Sequence, residues 1–408
     1  MKRFLLYFLF LLPLFALSQK QYPTDVEAVL KQAGSNRAEL EKALNYFYHT
    51  ADSLKIKAVH FLIANMDIHR SADYYWADSD GKQVVYNEFD HPDFDSSLAA
   101  FEIIKKRTPG IHPRKNIYKD IDSIKAEYLI NNIEMAFRSW RSSPETKSIP
   151  FEDFCEYVLP YRISVEPMQS WRVIYTEKFK WIGDSINAKT YENSLYDIAL
   201  NAKEWFSNTY EVEKRKEPLP RLGALHLLHR KKGACEDIAA MEVFALRSQG
   251  LPATIDFVPY WATSSGGHFF NSTFNRDKKP MTFDVLTSDM VNPTLKREPA
   301  KVLRTTYSKQ EGTLASFVNE NDIPDGFLRT RNYIDVTSTY WKTKDLKCKL
   351  YPVNSKAPVA YVCVFNYSGW KPTWWGKING DSVTFTSLCK GAVFLPAYYI
   401  NGRMIPAG

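Results

Sequence analysis

The 408-residue sequence contains no internal repeat and no low-complexity segment, which sets aside solenoid and linker-dominated architectures. Beyond its first 18 residues no apolar run is long enough to span a bilayer, so no stable membrane span is expected once a leader is removed. Cysteine is scarce, five in all, with no CxxC pair and no His/Cys cluster at zinc spacing. His226 and His229 share a helical pattern but lack a nearby third ligand, so they read as surface histidines, and no metal or other cofactor is expected. A strong charge imbalance is also missing: the formal net charge of +7 falls to +5 once Lys2 and Arg3 leave with the leader. The basic runs Lys214-Arg215-Lys216 and Arg230-Lys231-Lys232 are short and no nucleic-acid motif accompanies them. They read as solvated faces, and nucleic acid is not an expected partner.

What is present is the composition of an ordered protein, 45% hydrophobic and 14% aromatic. Residues 1–18 have the layout of a secretory leader: Lys2-Arg3, an apolar run from Phe4 to Leu17, and the small-residue site Ala16-Leu17-Ser18. That implies export to a periplasmic or extracellular setting, with cleavage before Gln19. In such a chain an odd cysteine count leaves at least one free thiol. Cys155 lies in an apolar segment and reads as buried and inert. Cys348, Cys363 and Cys389 can supply one disulfide, without the sequence choosing the pair. Cys235 remains as the thiol to be kept reduced.

Cys235 sits in Lys232-Gly233-Ala234-Cys235-Glu236-Asp237-Ile238, at the start of an apolar helix that ends at Gln249-Gly250 with Pro252 beyond. A helix N-terminus favours the thiolate, because the positive end of the macrodipole stabilises it. Gly233 is expected to allow a tight turn into the helix. A buried strand follows over Ala253 to Val258, then a loop with Tyr260 and Trp261 and a Ser-Ser-Gly-Gly tip. His268 comes 33 residues after Cys235, and Asp284 another 16 on. His268 to Phe274 and Met281 to Leu286 read as a hairpin, in a register that pairs His268 with Asp284 on one face. A thiol, an imidazole and a carboxylate are the three parts of nucleophilic acyl transfer.

The order Cys235, His268, Asp284 and these spacings resemble the transglutaminase-like superfamily of papain-type cysteine enzymes. Pro150-Phe151-Glu152-Asp153 through Tyr161-Arg162, then Glu166-Pro167 and Ser170-Trp171-Arg172, look like the segment before the core in secreted bacterial members. Arg247 to Pro252 and Asp256 to Pro259 match in the same way, so the likeness covers roughly residues 125 to 300. One departure is Phe269, where many relatives carry tryptophan after the histidine. The resemblance implies Cys235 as nucleophile, His268 as general base and then acid, and Asp284 as the orienting carboxylate. It also implies an oxyanion hole using the Cys235 N–H. Gln169 and Trp171 are candidates for its second donor and Trp261 for substrate contact, although capping or packing is the commoner use of such side chains.

The implied fold is α+β, in four stretches: a leader (1–18), a helical N-terminal region (19–140), a transglutaminase-like core of helix and antiparallel sheet (141–305), and a β-rich C-terminal domain (306–408). The core includes a helix from Tyr191 to Asn208. Apolar runs around Val359–Phe365, Ser382–Phe385 and Ala392–Leu395, with Asn379-Gly380 as a turn, read as a β-sandwich. It counts fewer strands than the usual seven, as a small last domain or a shortened one would. Hydrolysis of peptide amides is the favoured reaction, with peptide, protein or glycopeptide as substrate. Protein cross-linking and glycopeptide amidase activity are the alternatives. A non-catalytic glycan- or peptide-binding protein, using Trp370, Trp374 and Trp375, is the alternative of another class.

Overall fold

The computed structural model describes residues 22–186, 190–201, 204–205, 211–212, 219–283, 295–354 and 357–408. The expected leader lies outside them, and among the described residues no helix is long and apolar enough to cross a membrane.

Helical periodicity in the N-terminal region translates directly into packing. Thr24–Gln32 buries Val26, Val29 and Leu30; Arg37–Tyr48 buries Leu40, Ala43, Leu44 and Phe47; Ser53–Ala64 buries Ala58, Val59, Leu62 and Ile63. Each set repeats at three- and four-residue intervals, which places it on one face of its helix. Asp52 caps the third helix by accepting from the N–H groups of Leu54 and Lys55. Ala126–Trp140 and Phe151–Tyr157 join this hydrophobic cluster, which also takes in Ile121, Ile124, Tyr161 and the distant Tyr307.

The region is not wholly helical, however. Arg70–Ala77 pairs antiparallel with His112–Lys119 and with Gln83–Val84, and Phe94–Arg107 forms a helix between those strands. Tyr74, Tyr75 and Trp76 lie on the first of these strands, with the Trp76 ring 4.3 Å from that of Phe101 between centroids. Their aromatic side chains suit a pleated surface, but the pairing partner is some 40 residues away and leaves no local period. A buried cluster fastens this sheet to the rest: the Arg162 guanidinium donates to Asp120 at 2.5 and 2.8 Å and to Ser71 at 2.5 Å, and the Tyr161 hydroxyl donates to Asp120 at 2.8 Å.

In the core, helix Cys235–Ser248 ends where Gly250 adopts a left-handed φ of +80°. The N–H of Gly250 donates to Arg247 O and that of Leu251 to Leu246 O, the paired bonds of a Schellman stop. The helix packs on a five-stranded antiparallel sheet ordered Tyr333–Asp335, Leu303–Thr305, Ala253–Val258, His268–Phe274, Pro280–Phe283. Ile255, Phe257, Phe269 and Asn271 face the helix side, since the Asn271 amide meets the Glu242 carboxylate there. Asp256, Phe270, Ser272 and Arg304 occupy the other face, where Arg304 holds Asp256 through Nε and Nη2 at 2.8 Å each.

The hairpin expected after residue 267 is present, in a different register. Setting His268 opposite Asp284 would place Asn271 against Met281, whereas Asn271 faces Phe283 and Thr273 faces Met281. The slip is two residues, so it preserves which side chains share a face. Upstream, the helix expected to run from Tyr191 to Asn208 instead ends at Leu200, where Asn201 leaves the helical conformation at ψ 60°.

The C-terminal strands form one six-stranded antiparallel sheet and not two facing sheets. Its apolar face is covered by the short-helix segment carrying Leu314, Ile323 and Phe327, which supplies the layer that a second sheet would have provided. The turn at Asn379-Gly380 is where the sequence placed it, with Asn379 opposite Ser382 and Gly380 at φ +63°. Trp374 and Trp375 are buried in this core. The buried Lys301 ties the two sheets together: its Nζ pairs with Asp335, donates to Thr386 O at 2.8 Å and Ser387 O at 3.0 Å, and lies 4.2 Å from the Trp374 ring centroid.

Candidate active site

Cys235 is the first residue of its helix and is half-buried. The backbone before it is fixed by Asp237, whose Oδ2 accepts from the Ala234 N–H at 3.0 Å and whose Oδ1 accepts from the Leu222 N–H at 3.2 Å. This is half of a capping box, supplied from the third helical position. Gly233 serves close packing and not the expected turn: a Cβ there would lie 2.7 Å from the Asp237 Cβ. The adjacent Glu236 is held by Arg221 at 2.8 Å, and the Arg221 guanidinium lies 5.1 Å from the Phe269 ring centroid.

His268 is the first residue of its strand, opposite Val258. The chain reaches it through a glycine pair with distinct duties. Gly266 takes a left-handed φ of +93°, and a Cβ on Gly267 would sit 2.4 Å from Val258 O and 2.5 Å from Pro259 O. The helix and this strand run in the same direction, because strand Ala253–Val258 returns antiparallel between them. The Glu242–Asn271 contact pins the pair. Seven residues back along the helix is about 10 Å, and three residues back along the strand is also about 10 Å. Cys235 and His268 thus open neighbouring elements at one end of the helix–sheet pair. Strand alternation puts His268 on the face of Phe270, at 6.0 Å between ring centroids, with Trp261 also stacked against it at 6.4 Å. Asp284 lies outside the described residues.

The remaining candidates separate cleanly. Trp261 lies beside His268, as just described. Gln169 caps another helix, Ala224–Arg230: its Oε1 accepts from the Leu225 N–H at 2.8 Å and its Nε2 meets His226 Nδ1 at 3.2 Å. Trp171 is a core residue whose Nε1–H goes to Tyr161 O at 2.9 Å and whose ring packs on Phe244 at 4.8 Å. Among the described residues the Trp171 indole N–H is committed to Tyr161 O, and Gln169 is engaged at the start of helix Ala224–Arg230. His226 is buried, contrary to the surface reading, beside the Glu88–Arg230 ion pair. Burial pushes its pKa down to about 4.

Residues 184–284 match the family model described as the transglutaminase-like superfamily, a span that includes Cys235, His268 and Asp284. The chain carries a transglutaminase-like core. No curated protein matches the sequence. Among solved structures it is similar to a candidate cysteine protease from Cytophaga hutchinsonii, at 14% identity and a TM-score of 0.22, over 30% of this chain and 37% of that one. That likeness is too slight to carry geometry or mechanism. The transglutaminase-like match supports a cysteine-type enzyme at the coarse level.

The thiols of the chain differ in surroundings. All five are free, so the disulfide expected among Cys348, Cys363 and Cys389 is not formed. Burial pushes Cys363 and Cys389 up to about 12, drives Cys155 higher still, and raises Cys348. Burial thus holds Cys155, Cys363 and Cys389 in the thiol form. Among the described residues no group of three or more His, Cys, Asp or Glu side chains could hold a metal. Phe269, the residue after His268, stacks on Phe257 at 5.2 Å with an interplanar angle of 10°.

Sequence reasoning missed Asn366, a buried residue before the turn of the hairpin Val359–Asn366/Gly369–Asn379. Its Oδ1 accepts from the Gly266 N–H at 3.0 Å, and its Nδ2 donates to Trp261 O, Ser264 O and Gly266 O at 2.8 to 3.0 Å. The C-terminal sheet thus clasps the loop that delivers His268. Only its place ahead of Tyr367-Ser368, both at left-handed φ, hints at a turn, and nothing local names the loop it holds.

Proposed function

We propose that the protein is a thiol-dependent acyl-transfer enzyme acting on peptide amides, with Cys235 as nucleophile and water as acceptor. The observation that carries this is the placement of Cys235 and His268 at the starts of neighbouring elements, at one end of the helix–sheet pair. In this mechanism His268 takes the thiol proton and the Cys235 sulfur attacks the carbonyl carbon. The oxyanion is met by the Cys235 N–H, which at the first helical position has no intrahelical acceptor. His268 then gives its proton to the leaving nitrogen, and the C–N bond breaks to leave a thioester. Water attacks that thioester, passing a proton through His268, and the acid and the thiol are released. Asp284 orients the imidazole and stabilises its charged form. Export to the periplasm or cell exterior belongs to the same proposal and rests on the leader-like residues 1–18.

The test is alkylation of the mature protein with iodoacetamide, followed by peptide mapping. Cys235 is expected to react fastest near neutral pH, and Cys235→Ala to abolish amide cleavage with stability nearly unchanged. A Cys235 that alkylates no faster than a cysteine peptide, in folded protein, would overturn the assignment.

A further inference from the structure

A cleft of about 540 Å³, within the size range of small-ligand sites, is lined on one side by Arg221, the partner of Glu236 at the start of the Cys235 helix. Its floor is apolar, formed by Ile255 and the stacked Phe257–Phe269 pair on the helix face of the sheet. Its walls come from three separate parts of the chain: His69 and Arg70, Tyr260, and the segment from Gly326 to Tyr333. Three arginines and one glutamate line it, and their commitments differ. Arg329 donates through Nε and Nη2 to Ile323 O, and Arg70 pairs with Glu320 at 3.4 Å. Arg221 uses Nη1 alone, for Glu236 and Pro220 O. Its Nε and Nη2 make no hydrogen bond among the described residues, while Phe269 lies against the guanidinium at 5.1 Å. That Nε–Nη2 edge is the fork that receives carboxylates side-on, and in this protein Arg304 holds Asp256 by the same two nitrogens.

We propose that this cleft is a substrate subsite for a peptide bearing an aromatic or aliphatic side chain next to a free carboxylate. The side chain rests on Phe257 and Phe269, and the carboxylate is bound by Nε and Nη2 of Arg221. The subsite serves Cys235, and to that extent rests on the acyl-transfer reading: Arg221 lines the cleft and at the same time grips Glu236, the neighbour of Cys235. An arginine braced in this way is pre-organised, so it loses little freedom when a ligand arrives.

The test is equilibrium binding by calorimetry to full-length Cys235→Ala, which separates recognition from chemistry. One probe pair is N-acetyl-Phe-Glu-amide against N-acetyl-Phe-Gln-amide, equal in shape and different in one charge. A second pair, N-acetyl-Phe-Gly against its amide, presents a chain-terminal carboxylate in place of a side-chain one. The charged member of at least one pair is expected to bind about tenfold or more tightly, and the winning pair identifies the source of the carboxylate. Adding Arg221→Gln should erase that preference. Adding Glu236→Gln, which breaks the ion pair but leaves the fork, should keep it. Absence of binding, equal affinities within both pairs, or equal losses in Arg221→Gln and Glu236→Gln would each overturn the proposal. A wild-type Cys235 that fails to alkylate faster than a peptide thiol would instead defeat the acyl-transfer reading and leave the binding result standing.

Discussion

Asn366→Ala isolates the contribution of the C-terminal sheet to the site. The side chain is buried and serves one N–H and three carbonyls of the loop before His268. Its amide nitrogen has two hydrogens for those three carbonyls, so the set amounts to about three effective bonds, at roughly 1 kcal/mol each. The expected loss is therefore about 3 kcal/mol, concentrated on residues 261–267 because no apolar packing is removed from either core. In a chain with several hydrophobic cores a single global unfolding energy is poorly defined, so the assay should be local. Amide exchange at Gly266 should accelerate about a hundredfold, the equivalent of that energy. The ladder between Val359–Asn366 and Gly369–Asn379 should keep its protection, being held by its own backbone bonds. If the clasp positions His268, amide cleavage should fall mainly in kcat, with KM little changed. Wild-type exchange at Gly266 in Asn366→Ala would refute the reasoning, because those bonds would then contribute nothing to holding the loop.

Gly267→Ala should be poorly tolerated, since its Cβ would meet two backbone oxygens at 2.4 and 2.5 Å and neither can move without shifting the strand. A purified variant with wild-type cleavage and thermal stability would show that contact to be soft. Burial holds both His69 and His226 down to about 4, from an ordinary 6.5, so their neutral forms are favoured in the folded state. The unfolded chain binds more protons between those values. Stability should thus be full above pH 6.5 and be lost as pH falls toward 4, by about 3 kcal/mol per histidine at most. A urea midpoint that is flat across this window, or unaltered in its slope by His226→Gln, would contradict that. Lys301→Met should cost about 3 kcal/mol by leaving Asp335 and the carbonyls of Thr386 and Ser387 without their cation. Urea titration followed by tryptophan emission reports it, because Trp374 lies 4.2 Å from the Lys301 nitrogen, and an unchanged midpoint would argue against a role in joining the sheets.

The sequence by itself determined the local elements of the core and the order of its chemistry. The helix opening at Cys235 and stopping at Gly250, the strand from Ala253, the hairpin start at His268 and the turn at Asn379-Gly380 all follow from period, capping and turn chemistry within a few residues. The tertiary structure decided everything that depends on a distant partner. The pairing of Arg70–Ala77 with His112–Lys119, the burial of His226 beside Glu88, the single C-terminal sheet enclosing Trp374 and Trp375, and the clasp of Asn366 on the His268 loop are of this kind. So is the cleft, whose walls come from segments as far apart as Ile68 and Tyr333. Periodicity reports which face of an element is apolar, but not which surface will cover it. That choice is made by complementarity between segments tens to hundreds of residues apart, and no window along the chain records it.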